Sequence, residues 1–153
     1  MKIIKFTKVT WPEFSNFYET TFVWDGREYH CSEAAFQSAK TLDSYERNKF
    51  MSLNGSASKK LGRSVVLRSD WEQVKFDIMV DVLMCKFTQD EHCQQLLLDT
   101  GDAYIIENTT RWHDNIWGNC DCERCQNIEG QNLLGKALML VRTRLRRGVR
   151  KYS

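Results

Sequence analysis

A single proline, Pro12, interrupts the chain, which is therefore little punctuated and open to long helices. The longest helical pattern opens at Ser69-Asp70-Trp71-Glu72, a capping-box spacing. It carries Trp71, Val74, Ile78, Val82 and Cys85 on one stripe. A second stripe, Leu134, Ala137, Leu138, Val141 and Leu145, predicts a final helix from about Asn132 to Arg147. Shorter helices are expected over Glu33–Lys40, with Ser32 as N-cap, and over Glu91–Leu98, stopped at Gly101. Residues 54–62 read as a loop with a short helix. Strands are expected at Lys2–Phe6 and Ala103–Glu107. Phe22–Tyr29 reads as a hairpin in which Asp25-Gly26 supplies the positive φ angles of a type I′ turn. Several helices and a few strands without βαβ alternation predict an α+β fold. The expectation is one mainly helical domain with a small antiparallel sheet over residues 1–147, then a basic tail at 148–153.

With 42% hydrophobic and 27% charged residues, 153 positions suffice for one buried core and exclude a low-complexity chain. The longest apolar runs, Ile78–Cys85 and Leu138–Val141, are too short or interrupted for a membrane span. The segment Met1–Phe6 lacks the apolar stretch of a signal peptide. A cytoplasmic protein with no membrane partner is expected, and in that compartment the six cysteines stay reduced rather than forming three disulfides. The net charge of +2 hides an asymmetry: residues 142–153 hold six basic residues and no acidic ones, while 1–141 hold 16 basic and 20 acidic. A cationic end suits a helix C-terminus; the other reading is a phosphate contact.

Three clusters carry candidate chemistry. Glu33, Gln37 and Lys40 recur at helical spacing and share one face, where they would either hold a polar substrate or form a solvated surface. Arg111-Trp112-His113-Asp114-Asn115-Ile116-Trp117-Gly118 places two tryptophans, a histidine and a carboxylate in one loop, as core anchors or as a stacking and acid/base site. Cys120, Cys122 and Cys125 form a Cys-x-Cys-x-x-Cys cluster suited to zinc. His113 is the nearest fourth ligand, with Cys93, His92, Cys31 and His30 as outside options. Unmetallated thiols and redox chemistry are the alternatives. Gly130–Lys136 opens the last helix, whose free N–H groups would suit an anion. It is no Walker A loop, and Gly135 implies close approach of a backbone or a ligand.

The order of these motifs resembles the NADAR, or YbiA-like, family. The stretches are Phe14-Ser15-Asn16-Phe17-Tyr18, Ser32–Lys40, Trp71 with Met79, Lys86-Phe87, Leu97–Gly101, Glu107, Asp114–Gly118, Gly130–Met139 and Val141-Arg142. The resemblance spans about residues 8–147. It implies an α+β domain and N-glycosidase chemistry, on phosphorylated ribosylamino-pyrimidines of riboflavin synthesis or on ADP-ribosylated guanine in DNA. It marks Glu33, Trp71, Asp114 and Trp117 as functional positions. The cysteine cluster departs from YbiA itself and resembles a cysteine-bearing branch.

From both readings, Glu33 and Asp114 are expected to divide the catalytic roles. Trp71 or Trp117 would stack on the base, and Asn16, Gln37, Lys40, Asn132 and Arg142 would contact the substrate. No cofactor is required for this chemistry, and structural zinc on Cys120, Cys122, Cys125 and His113 is the metal expectation. Substrate is the expected partner, with DNA as a candidate carrier. The competing classes are a non-catalytic ADP-ribose or nucleotide-binding module and a small zinc-dependent nucleic-acid binder.

Overall fold

The computed structural model describes all residues, Met1–Ser153. The chain order is β1 (Ile3–Phe6), β2 (Phe22–Trp24), β3 (Arg27–Tyr29), α1 (Ser32–Ser38), α2 (Ser44–Asn48), α3 (Gly55–Gly62), α4 (Trp71–Gln89), α5 (Glu91–Asp99), β4 (Tyr104–Glu107) and α6 (Leu133–Arg146). Strands β2 and β3 form the expected antiparallel hairpin, with Asp25 and Gly26 both at positive φ. Strands β1 and β4 form a second, parallel pair, in register from Ile3–Tyr104 to Phe6–Glu107. A parallel pair needs a long crossover, and here the crossover is most of the helical body.

The core is built on α4. From Met79 to Phe87 every side chain except Asp81 is buried, so the second half of this helix is a core helix rather than an amphipathic one. Val74 and Ile78, on the expected stripe, are only half-buried. Helix α6 crosses α4 and packs on β4, while α1 packs on α3 and α4. The Lys86 ammonium is fully buried in this core and donates to the carbonyls of Glu13 (2.7 Å) and Ser15 (3.1 Å). It thereby pins the turn before Asn16.

Two expected caps are not made as their sequence suggests. Cys31, not Ser32, is the N-cap of α1. The Ser32 hydroxyl donates to Asn16 Oδ1 at 2.7 Å, and the Asn16 carbonyl accepts the Glu33 N–H at 2.9 Å. At α4 the box does not close. Asp70 is the N-cap residue, but its carboxylate turns to the Arg68 guanidinium (2.7 and 3.1 Å), and Glu72 pairs with Lys75 at 2.6 Å. Elsewhere the caps are local: Asp43, Asn54 and Asp90 accept the N–H groups of Glu46, Ala57 and Cys93 at 2.9 Å.

The N-terminus of α6 offers no free anion site. The N–H groups of Gln131, Asn132, Leu133 and Leu134 donate to the carbonyls of Asn115, Gly118, Ile116 and Trp117. This backbone zipper fastens the 115–118 loop to the helix. Gly135 is the close approach: a Cβ there would lie 2.1 Å from the Ile105 carbonyl. The last residues fold back on α4, where Gln89 Nε2 donates to the Tyr152 carbonyl at 2.7 Å and the Tyr152 hydroxyl bonds Asp81. No helix is long and apolar enough to cross a membrane.

Candidate active site

A cleft of 440 Å³ opens between α1, the start of α4, α3, the Ser15–Phe17 turn and the loop after β4. That volume is in the range of small-molecule sites. Seven residues singled out in the sequence meet in it: Asn16, Glu33, Gln37, Lys40, Trp71, Asp114 and Trp117. They come from four separate segments. The helical spacing of Glu33 and Gln37 puts both on the cleft face of α1, where Gln37 Nε2 donates to Glu33 Oε1 at 2.8 Å. Phe36 lies between the two tryptophans, with ring centroids 5.0 Å from Trp71 and 5.0 Å from Trp117. Together the three rings form an aromatic wall. Trp112, exposed at the surface, adds a fourth ring at the cleft.

Asp114 is held by its own loop. Its Oδ1 accepts the N–H groups of Ile116 (2.8 Å) and Trp117 (2.9 Å), and its carbonyl accepts the Thr109 hydroxyl at 2.6 Å. Burial pushes the Glu33 carboxyl above the usual range, against the Gln37 hydrogen bond and the charges of Lys59 and Lys40, with Asp114 adding to the rise. Lys40 is lowered by burial, which the charge of Glu33 opposes. Its ammonium lies 6.0 Å from the Trp71 ring.

Glu107, at the end of β4, is a site residue that motif reasoning did not select. It lines the cleft, and burial followed by the charges of Asp114 and Glu33 pushes its carboxyl up to about 8. Its one sequence signal is its place among the stretches that carry the family resemblance. Lys8, Lys59 and Lys75 also line the cleft, so with Lys40 it has four cations. Lys8, Lys59 and Lys75 come from separate segments, so no local spacing links them.

Asn132 and Arg142 do not line the cleft. Asn132 Oδ1 accepts the Glu107 N–H at 3.1 Å and Nδ2 donates to the Ile105 carbonyl at 2.8 Å. Its amide is spent on β4. The Arg142 guanidinium is buried and donates to Thr100 Oγ1 (2.8 Å) and the Ala103 carbonyl (2.9 Å), tying α6 to the α5–β4 turn. The rest of the basic end is engaged in part: Arg146 pairs with Asp102 at 3.0 Å, and Arg150 bonds the Leu145 carbonyl.

Beside the cleft, four donor atoms converge. His113 Nδ1 lies 3.3 Å from Cys120 Sγ, 3.3 Å from Cys122 Sγ and 3.6 Å from Cys125 Sγ, and the two nearest sulfurs are 3.3 Å apart. All four atoms lie within 4.8 Å of one another. The outside options, Cys31, Cys93, His30 and His92, are not part of this group. No cysteine forms a disulfide.

The NADAR domain model matches residues 5–146. N-glycosidase YbiA of Escherichia coli strain K12 is 34% identical over 142 residues, covering 91% of this chain and 84% of that protein. The chloroplastic riboflavin biosynthesis protein PYRR of Zea mays is 28% identical over 137 residues, 89% of this chain and 20% of that longer protein. The NMR structure of E. coli YbiA matches with a TM-score of 0.82 at 33% identity, over 95% of this chain and 85% of that one. Sequence, fold and length of match agree, and the chain belongs to the NADAR domain family.

Proposed function

We propose that the cleft hydrolyses the bond between a ribose anomeric carbon and the exocyclic amine of a base-like group, in a substrate that carries phosphate. The broad class, a hydrolase acting on N-glycosyl bonds, is that of the family and its relatives. One observation carries the finer reading: Glu33, Glu107 and Asp114 line a single cleft together with an aromatic wall and four lysines.

Breaking such a bond builds positive charge on the ribose and leaves an amine that needs a proton. Glu107, pushed up to about 8, keeps its proton at neutral pH and is the group to deliver it. Glu33, steadied by Gln37, and Asp114, anchored through Oδ1, divide the remaining work. One faces the developing oxocarbenium charge and the other takes a proton from water as its oxygen joins the anomeric carbon. The products are a free sugar hydroxyl and a free amine. The base lies against Trp71 or Trp117, and Asn16 and the lysines meet ribose hydroxyls and phosphate. His113 and the three cysteines would hold a structural zinc-type ion; four protein donors leave no open position, and no step passes through it.

A phosphorylated ribosylamino-pyrimidine is one substrate with this bond, and the name of the maize relative favours it. ADP-ribosylated guanine in DNA is the other. Part of the basic end is engaged within the fold, Arg142 at Thr100 and Ala103 and Arg146 at Asp102, which leaves fewer free cations to hold DNA than the sequence offers. The test offers both substrates to wild type, Glu33→Gln and Asp114→Asn, and detects ribose 5-phosphate or ADP-ribose. Each variant is expected to stay folded and lose about 10²–10⁴-fold in kcat. Full activity in both folded variants overturns the assignment, as does ADP-ribose binding without hydrolysis of either substrate by wild type.

A further inference from the structure

The segment between the cleft loop and α6 has almost nothing apolar to hold it. Across 119–130 the buried residues are Cys120 and Cys125 alone, and the one large aliphatic residue, Ile128, is 52% exposed. Regular structure is limited to a single 3₁₀ turn, Glu123–Cys125. A segment of this kind cannot offset its ordering entropy by hydrophobic burial. Its inward-facing groups are thiols, which are weak hydrogen-bond formers.

The thiols converge on one ring nitrogen. A tetrahedral ion with Zn–S of about 2.3 Å and Zn–N of about 2.0–2.1 Å has donor–donor edges of about 3.6–3.8 Å. Four of the six spacings, 3.3 to 3.6 Å, equal those edges or fall slightly inside them, and the other two are within 4.8 Å. His113 reaches this position from a left-handed backbone, φ 58°, which costs a non-glycine residue about 1–2 kcal/mol. Three thiols and one imidazole form a soft donor set that selects zinc over magnesium or calcium.

The neighbours of these ligands give the ion a consequence. His113 stands between Trp112 and Asp114, both in the cleft wall. The Cys120 N–H donates to Asn115 Oδ1 at 3.0 Å, and the Asn115 carbonyl accepts the Gln131 N–H at 2.8 Å. We propose that one zinc-type divalent ion, bound by His113, Cys120, Cys122 and Cys125, is the clasp that holds the 109–119 loop so that Asp114 and Trp112 face the cleft. The glycosidase site of the proposed function is then complete only when the metal is bound. The metal and the loop are positioning elements, and their part in catalysis rests on that functional reading.

The experiment uses the full chain purified without chelator. Metal analysis is expected to give one zinc per chain, with Cys120, Cys122 and Cys125 unreactive to a thiol reagent until a chelator is added. Replacement by Co²⁺ is expected to give intense thiolate-to-cobalt absorption. Chelation is expected to change the tryptophan fluorescence, through Trp112 and Trp117, while far-ultraviolet circular dichroism keeps its helical signal. Added Zn²⁺ is expected to reverse the change. Hydrolysis should fall at least about 10-fold on chelation and recover with Zn²⁺. Cys122→Ser, at a half-buried ligand, should lower zinc affinity in a folded protein. A folded protein that binds neither Zn²⁺ nor Co²⁺ overturns the site. Bound zinc whose removal leaves fluorescence and hydrolysis unchanged overturns the clasp. If neither substrate is hydrolysed with metal bound, while zinc content and fluorescence behave as stated, the metal site stands and the functional reading is the part that fails.

Discussion

Asn132 and Glu107 are bound across 25 positions of sequence: the Glu107 N–H donates to Asn132 Oδ1 at 3.1 Å. The other end of the same amide donates to the Ile105 carbonyl at 2.8 Å, so one side chain fixes the end of β4. Asn132 sits at φ 51°, a conformation that asparagine tolerates better than most residues. Asn132→Gly keeps the backbone and deletes both bonds; Asn132→Ala also adds backbone strain. Both should lose stability, about 1–3 kcal/mol for the glycine variant and more for alanine. Both should lower kcat, because Glu107 loses its fixed position. Thermal melts and hydrolysis rates check this, and a glycine variant with wild-type kcat refutes the positioning role.

Gly62 gives Gln37 its room. A Cβ at position 62 would lie 1.9 Å from Gln37 Oε1 and 2.8 Å from its carbonyl carbon. The carboxamide can swing away, but then it leaves Glu33. Alanine inside α3 is otherwise favoured over glycine by roughly 0.5–1 kcal/mol. Gly62→Ala is therefore expected to change the melting temperature little while lowering kcat by about 10-fold, an effect of the size expected from loss of one positioning hydrogen bond. A variant that is strongly destabilised, or that keeps full activity, counts against this account.

The readable part of the site is the part carried by local spacing. Glu33 and Gln37 lie one helical turn apart and face the cleft together, as their spacing predicts. The cysteines and His113 lie within thirteen positions of one another, and they do converge. What spacing did not reveal is tertiary. Glu107 is a single acid at a strand end, and its carboxyl is shifted only once folding buries it and brings the charges of Asp114 and Glu33 near. Lys8, Lys59 and Lys75 come from three separate segments and meet only in the folded cleft. Ser32 is a good N-cap by residue type, but its hydroxyl donates to Asn16 Oδ1 across the fold. Arg142 suits a helix terminus, yet Thr100 and Ala103 draw it inward.

Lys86 holds the wall that carries Asn16. Its ammonium satisfies two backbone carbonyls, and full burial lowers it to about 8. Lys86→Met leaves those carbonyls without a donor and should cost about 2–4 kcal/mol. The pH signature separates the charge from the packing. A depressed ammonium contributes stability above its unfolded value of 10.5 and loses it as pH falls through about 8. Wild-type stability relative to Lys86→Met should therefore fall as pH is lowered from about 10.5 to 8, then stay level. Urea melts across that range check it, and a constant difference refutes the buried-ammonium account.

Glu107 makes the opposite prediction. Its carboxyl is raised from 4.5 to about 8, so the folded state binds the proton more tightly than the unfolded chain does. Its contribution to stability is complete below about pH 4.5 and is lost as pH rises through about 8. Glu107→Gln carries no such proton, so its stability should decline less than that of wild type between those limits. The same proton sets the rate. If Glu107 protonates the leaving amine, kcat falls as pH rises through about 8, and Glu107→Gln lowers kcat by about 10²–10⁴-fold with that limb of the profile gone. Glu107→Asp should keep the limb at reduced rate, because it retains a proton on a shorter arm. A Glu107→Gln enzyme that is slow but still loses activity near pH 8 would assign the limb to another group, and Glu107 would then only shape the cleft.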